Sequence, residues 1–165
     1  MRSKKQKKKE FSKMKSKIWV KTTNELNQLS SQIDGLLRAL FKTQRGSFEK
    51  ELEKIGIENS ENLKELFLKN KLDLKDKEQI KDFLEKLKQE FNKLKIVKLV
   101  TAFEPSTQIV NHIHDWIMSN LGAGFILDIS FDETILGGAI ISFKGEYRDL
   151  TVKKKLQDLN PQFTQ

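Results

Sequence analysis

The sequence predicts an α+β fold: an N-terminal helical bundle followed by a small C-terminal α/β domain. Three observations predict it. Apolar residues recur at steps of three and four as far as residue 95, which is the period of a helix face. From Ile96 onward the apolar residues turn β-branched and alternate, which is the period of a strand. Glycine and proline fall at the joints between these runs, at Gly46, Gly56, Pro105, Gly122, Gly124, Gly137, Gly138, Gly145 and Pro161.

The elements follow in order. Residues 1–17 are low-complexity and basic, and read as a disordered leader. Leu26, Leu29, Ile33, Leu36, Leu37, Leu40 and Phe41 make one stripe of a helix, which Ile18 and Trp19 extend upstream. After Gly46, Ser47 opens a short helix with Phe48, Leu52 and Ile55. Leu63, Leu66 and Phe67 make another. Asp76 with Gln79 three residues on is a capping box, here with Asp as the cap. It opens the clearest helix, with Ile80, Phe83, Leu84, Leu87, Phe91 and Leu94 on its apolar face. Residues 18–95 are thus expected to form a bundle of about four helices.

Residues 96–160 are expected to run strand, helix, strand, strand, helix, with 161–165 as a tail. IVKLVTA is the first strand, closed by Pro105. Ile109, Ile113, Trp116 and Ile117 mark the helix. FILDISF alternates, with Phe125, Leu127, Ile129 and Phe131 on one face and Asp128 and Ser130 on the other. AIISF follows Gly137 and Gly138. Gly145 turns the chain, Asp149 or Thr151 caps a last helix bearing Val152, Leu156 and Leu159, and Pro161 stops it.

Composition narrows the class. A length of 165 residues suits one domain or two small ones. Without cysteine there is no disulfide framework, thiolate metal site or cysteine nucleophile. No apolar run nears the roughly 20 residues that cross a bilayer as a helix. The net charge of +8 sits at one end. Residues 1–21 hold ten Lys/Arg against the single acid Glu10, and the remainder is near neutral. Lys4, Lys5, Lys7, Lys8, Lys9, Lys13, Lys15 and Lys17 make up most of that basic tail. It lacks the apolar core of a secretory signal and the Arg/Ser character of a transit peptide. Charge alone fits it to nucleic acid phosphates or anionic lipid headgroups. Only Phe11 and Trp19 lie near it, so no base-stacking platform is visible.

No catalytic constellation holds together, no cofactor is expected, and the chain reads as a binding protein, not an enzyme. GAGF at 122–125 follows a helix and precedes a strand, the reverse of a phosphate-binding turn, and reads as a helix stop. The P-loop pattern is absent. His112 and His114, two apart on a helix, project roughly 200° apart, so they share no metal and read as partly exposed helix residues. Asp128, Asp132 and Glu133 read as solvated strand and turn acids.

The pieces LVTAFEP (99–105), LDISFDETILGG (127–138), AIISFKG (139–145) and YRDLTVKKKL (147–156) together resemble the C-terminal domain of the delta (OSCP) subunit of F-type ATP synthases. Asp132, Leu136, Gly137, Gly138, Gly145, Asp149, Thr151, Val152 and Leu156 match that family in order and spacing. The resemblance covers about two fifths of the chain. Ser142 stands near where the family usually has a basic residue, and Leu150 where a glycine is common. The Lys-rich N-terminal half lacks the family's Ala-rich opening helix. The resemblance implies a non-catalytic peripheral-stalk subunit on the cytoplasmic face of a bacterial inner membrane. Its helical domain would hold the alpha subunit of the catalytic head, and its C-terminal domain the b subunit. Two other readings are an RNA- or ribosome-associated factor using the basic tail, and the E subunit of a V/A-type ATPase. The latter would need a long uninterrupted first helix, which Gly46, Gly56 and Ser60 oppose.

Overall fold

The structure is a computed structural model, and it describes residues 19–42 and 46–159. The basic tail and the 161–165 tail lie outside the described residues. Contacts divide the chain into two compact units. One is residues 25–93. The other joins residues 94–159 to the described residues ahead of 25.

The first unit is helical: α1 (Thr23–Leu40), α2 (Ser47–Lys54), α3 (Ile57–Lys69) and α4 (Lys77–Phe91). Its core is the periodic stripe seen in the sequence. Leu29, Ile33 and Leu36 of α1, Leu63 of α3, and Ile80 and Leu84 of α4 are fully buried. Phe67 meets Phe83 edge-on at 5.6 Å and Phe48 at 6.4 Å. Some polar groups inside the unit are paired, although the buried Ser60 hydroxyl has no hydrogen-bond partner. Gln32 donates to the Ile55 carbonyl at 3.0 Å and accepts from Asn59 at 2.9 Å. Phe41 leaves the stripe and is exposed, because it follows the last residue of α1.

Asp76 caps α4 as its spacing predicts, accepting from the Gln79 backbone N–H at 3.1 Å and from the Gln79 side chain at 2.6 Å. Asp76→Ala strands those donors, and its expected cost is about 1 kcal/mol. Urea unfolding followed by helical circular dichroism measures it. A shift under about 0.3 kcal/mol would show that the cap is idle.

The second unit is a four-stranded mixed sheet. Its strands are β1 (Lys95–Thr101), β2 (Phe125–Phe131), β3 (Ala139–Phe143) and β4 (Glu146–Asp149), in the order β2-β1-β3-β4. β1 and β2 are parallel, from Lys95 beside Phe125 to Thr101 beside Phe131. A parallel pair needs a crossover, and α5 (Thr107–Leu121) supplies it. Val110, Ile113 and Ile117 of α5 pack on Val97, Phe125 and Leu127, with Ile129, Ile141 and Phe143 at the margin. β3 and β4 form a hairpin turned by Lys144 and Gly145 at φ 52° and 83°, the paired positive angles of a type I′ turn. β4 is a strand that the sequence pattern does not announce. Four mostly polar residues, EYRD, carry too little alternation. The last helix, α6, is Val152–Leu159.

Residues 19–24, which helical periodicity groups with the bundle, pack with this sheet instead. The Leu127 N–H donates to the Lys21 carbonyl at 2.8 Å, and Thr22 bridges Leu127 in parallel. Val20 is buried. The stretch 20–22 ahead of α1 is mostly β-branched, so an extended path suits it.

Candidate docking surface

Five of the motif residues of the C-terminal unit, Gly137, Gly138, Asp149, Thr151 and Val152, meet at one junction. The Val152 N–H donates to the Gly137 carbonyl and the Leu150 N–H to the Ala139 carbonyl, both at 2.9 Å. The backbone at 150–151 therefore lies directly on the glycine pair. A Cβ on Gly138 would stand 2.4 Å from the Leu150 carbonyl oxygen and 2.9 Å from the Thr151 Cα. Gly138 also sits at φ +86°. Both the close approach and the backbone angle require glycine. At Gly137 a Cβ would lie 3.1 Å from a Val152 methyl.

Asp149 and Thr151 shape the turn into α6. The Asp149 carboxylate accepts the Thr151 N–H at 2.9 Å, and the Thr151 hydroxyl accepts the Lys154 N–H at 3.2 Å, capping the helix. Asp132 builds the equivalent turn after β2, accepting from the Thr134 hydroxyl at 2.7 Å and the Thr134 N–H at 2.9 Å. These bonds favour the ionised carboxylates. Hydrogen bonding to Thr134 holds Asp132, and hydrogen bonding to Thr151 holds Asp149, below the usual carboxylate value. A depressed folded pKa gives stability that is present above the unfolded pKa and lost as pH falls through the folded one. The C-terminal unit is therefore expected to keep its urea midpoint from about pH 7 to 5 and to lose stability below about pH 4. Asp149→Asn should flatten that acid limb. An identical acid limb in the mutant would remove Asp149 from the account.

The helix that follows this junction carries an apolar edge beside exposed Lys153, Lys154 and Lys155. α6 buries none of its eight residues. Val152, Leu156 and Leu159 are exposed on it, and Leu136, next to the glycine pair, is 80% exposed. Val152 and Leu156 are one turn apart, and Val152 touches the position of Gly137. On α5, Ile109 and Trp116, seven apart and so on one side of the helix, are exposed as well. β3 leaves Ile141 and Phe143 half-buried. Exposed apolar side chains on the last described helix and on α5 are candidates for contact with another molecule. Of the predicted motif residues, Gly137, Gly138, Asp149, Thr151 and Val152 come together, with Leu136 and Leu156 flanking them. Gly145 lies in the β3–β4 turn and Asp132 in the turn after β2. Lys4, Lys5, Lys7, Lys8, Lys9, Lys13, Lys15 and Lys17 lie outside the described residues.

His114 differs from expectation. It is buried, its Nδ1 has no hydrogen-bond partner, and the Asp115 carboxylate stands 3.9 Å off. It falls four after Val110 and three before Ile117, so it shares their inward stripe; counting that stripe finds it. Trp116 lies on the outward side, which periodicity does not reveal, because it treats every apolar residue as core. Among the described residues no cluster of three or more His, Cys, Asp or Glu is placed to hold a metal. Among them, too, no helix is long and apolar enough to cross a membrane.

A helical module joined to a small α/β module, whose last described helix buries none of its residues, fits a protein that docks on others. The family model for the ATP synthase delta (OSCP) subunit matches residues 71–163, more than half of the chain, spanning α4 and the C-terminal sheet. The chain belongs to the ATP synthase delta (OSCP) family, whose members are non-catalytic subunits of the synthase stalk. No curated protein matches it.

Proposed function

We propose that this chain is a peripheral-stalk subunit that ties the catalytic head of a rotary F-type ATP synthase to the b-subunit stalk. Its place is the cytoplasmic face of a bacterial inner membrane. The observation that carries the reading is α6. Among the described residues, the last helix of the unit that matches the family touches its own fold at Val152 and leaves Val152, Leu156 and Leu159 exposed on an apolar edge. An amphipathic helix of the b subunit suits such a face, because helix-in-groove contacts use apolar anchors at three- and four-residue steps. The helical unit, 25–93, takes the alpha subunit of the head. Two linked contacts on one chain hold the head more tightly than either alone, through effective concentration. The work is mechanical: the chain hydrolyses no nucleotide and keeps the head from turning with the rotor.

Depletion and add-back test the assignment. Membranes stripped of this protein should release the head, which goes on hydrolysing ATP in solution. Returning the protein should restore head binding and ATP-driven proton uptake. Normal pumping by depleted membranes, or failure to co-purify with the head or the b subunit, would remove the stalk assignment. Salt-sensitive RNA binding that vanishes without residues 1–18 would then support a ribosome- or RNA-associated role.

A further inference from the structure

The helical unit is inserted into the C-terminal unit. The chain enters through residues 20–23 beside β2, leaves to build α1 to α4, and returns as β1 on the other side of β2. By sheet order alone β2 would be an open edge. The entering segment closes it at Leu127, which is fully buried. Three contacts with long sequence separation hold that segment. The Leu127 N–H donates to the Lys21 carbonyl at 2.8 Å, the Lys21 ammonium donates to the Asn111 side chain of α5 at 2.7 Å, and the Thr23 hydroxyl donates to the Asp128 carboxylate at 3.1 Å. Val20, 4% exposed, is buried within this segment.

We propose that residues 20–23 are a strap that gives the helical unit a second mechanical link to the C-terminal unit. A single linker at 93–95 would pass all load to one end of β1. With the strap closed, load from the helices enters the sheet on both sides of β2, and detaching the unit requires breaking the bridge at Thr22 as well as the β1–β2 ladder. An extended stretch on an edge strand also blocks unwanted pairing there. The geometry of the strap stands apart from the stalk assignment. Its use for resisting torque rests on that reading.

The full-length chain tests the proposal, and the lack of cysteine makes engineered thiols specific. The Thr23 hydroxyl reaches the Asp128 carboxylate at 3.1 Å, so thiols at these two positions are near enough to join. Thr23→Cys with Asp128→Cys should form that bond on mild oxidation of the folded protein. Val20→Asp should speed amide hydrogen exchange at Leu127 by at least about tenfold, while Leu84 and Leu87 in the helical unit keep their protection. Force spectroscopy through handles at Leu68→Cys and Leu159→Cys should give a lower rupture force for Val20→Asp, and also for the milder Thr23→Ala, than for the otherwise unaltered chain. Failure of the thiols to join, equal exchange at Leu127, or equal rupture forces would overturn the strap. None of these readouts needs the synthase. A closed strap in a protein that cannot restore coupling to depleted membranes would sink the stalk assignment and leave the strap standing.

Discussion

Replacing Leu136 and Leu156 together by glutamate is expected to abolish capture of an amphipathic helix of the b subunit without loosening this protein. Both side chains are largely exposed, 80% and 57%, so the free fold gives up little by their removal. In a complex each leucine that becomes buried contributes about 1.5–3 kcal/mol. A glutamate in its place also faces desolvation against an apolar partner. The affinity for a synthetic peptide of that helix should fall at least about a hundredfold, since about 1.4 kcal/mol is a factor of ten. Isothermal calorimetry with the peptide supplies the number, and the thermal melt of the same variant supplies the control. Unchanged affinity with an unchanged melt would move the docking site away from α6. A collapsed melt would mean that the two leucines belong to the core after all.

The second large effect is expected at Gly138. Gly138→Val combines a backbone angle that L side chains rarely adopt with a Cβ driven into the Leu150 carbonyl. Strain at such an angle costs about 1–3 kcal/mol, and overpacking about as much again. Small units hold little reserve, so the C-terminal sheet should be largely unfolded at room temperature. Gly145→Ala separates the two causes. Its φ is nearly the same, +83°, but nothing lies within 4 Å of the added methyl. It should cost about 1 kcal/mol, from backbone strain alone. Equal losses at the two sites, read by denaturant midpoints of the full chain, would show that the contact with Leu150 is unimportant.

Much of this is legible in the sequence, and the gaps have physical causes. The stripe on α4 and the Asp76 cap can be read because each is a local pattern with one dominant period. The Gly137–Gly138 junction is legible as a motif but not as a contact. The spacing of Asp149, Thr151 and Val152 says nothing of where their backbone lies, and only the fold shows that it rests on Gly138. The short β4 is not legible, because a four-residue polar strand owes its existence to pairing with β3, not to its own composition. Residues 20–23 are hard to place for a related reason. Their helical continuation dominates the local pattern, while the partners that fix them, Asn111, Leu127 and Asp128, lie about 90 to 105 positions away. The apolar edge of α6 reads as an amphipathic stripe. A stripe that awaits another molecule looks the same in sequence as one that faces its own core.

The inserted arrangement also fixes an order of events during synthesis. The helical unit is contiguous in the chain, so it can fold as soon as residue 93 has cleared the ribosome. The sheet cannot. Its outermost strand segment is made first, near residue 20, and must wait for β2 some hundred residues later before it finds a partner. At about 5–20 residues per second that wait lasts about 5 to 20 seconds. During it Val20 and its neighbours are exposed as an unpaired extended segment immediately behind a run of lysines and one arginine. Positive charge flanking an aggregation-prone strand keeps nascent chains apart. The basic leader is thus positioned to act as a gatekeeper before the protein is complete, whatever it contacts afterwards.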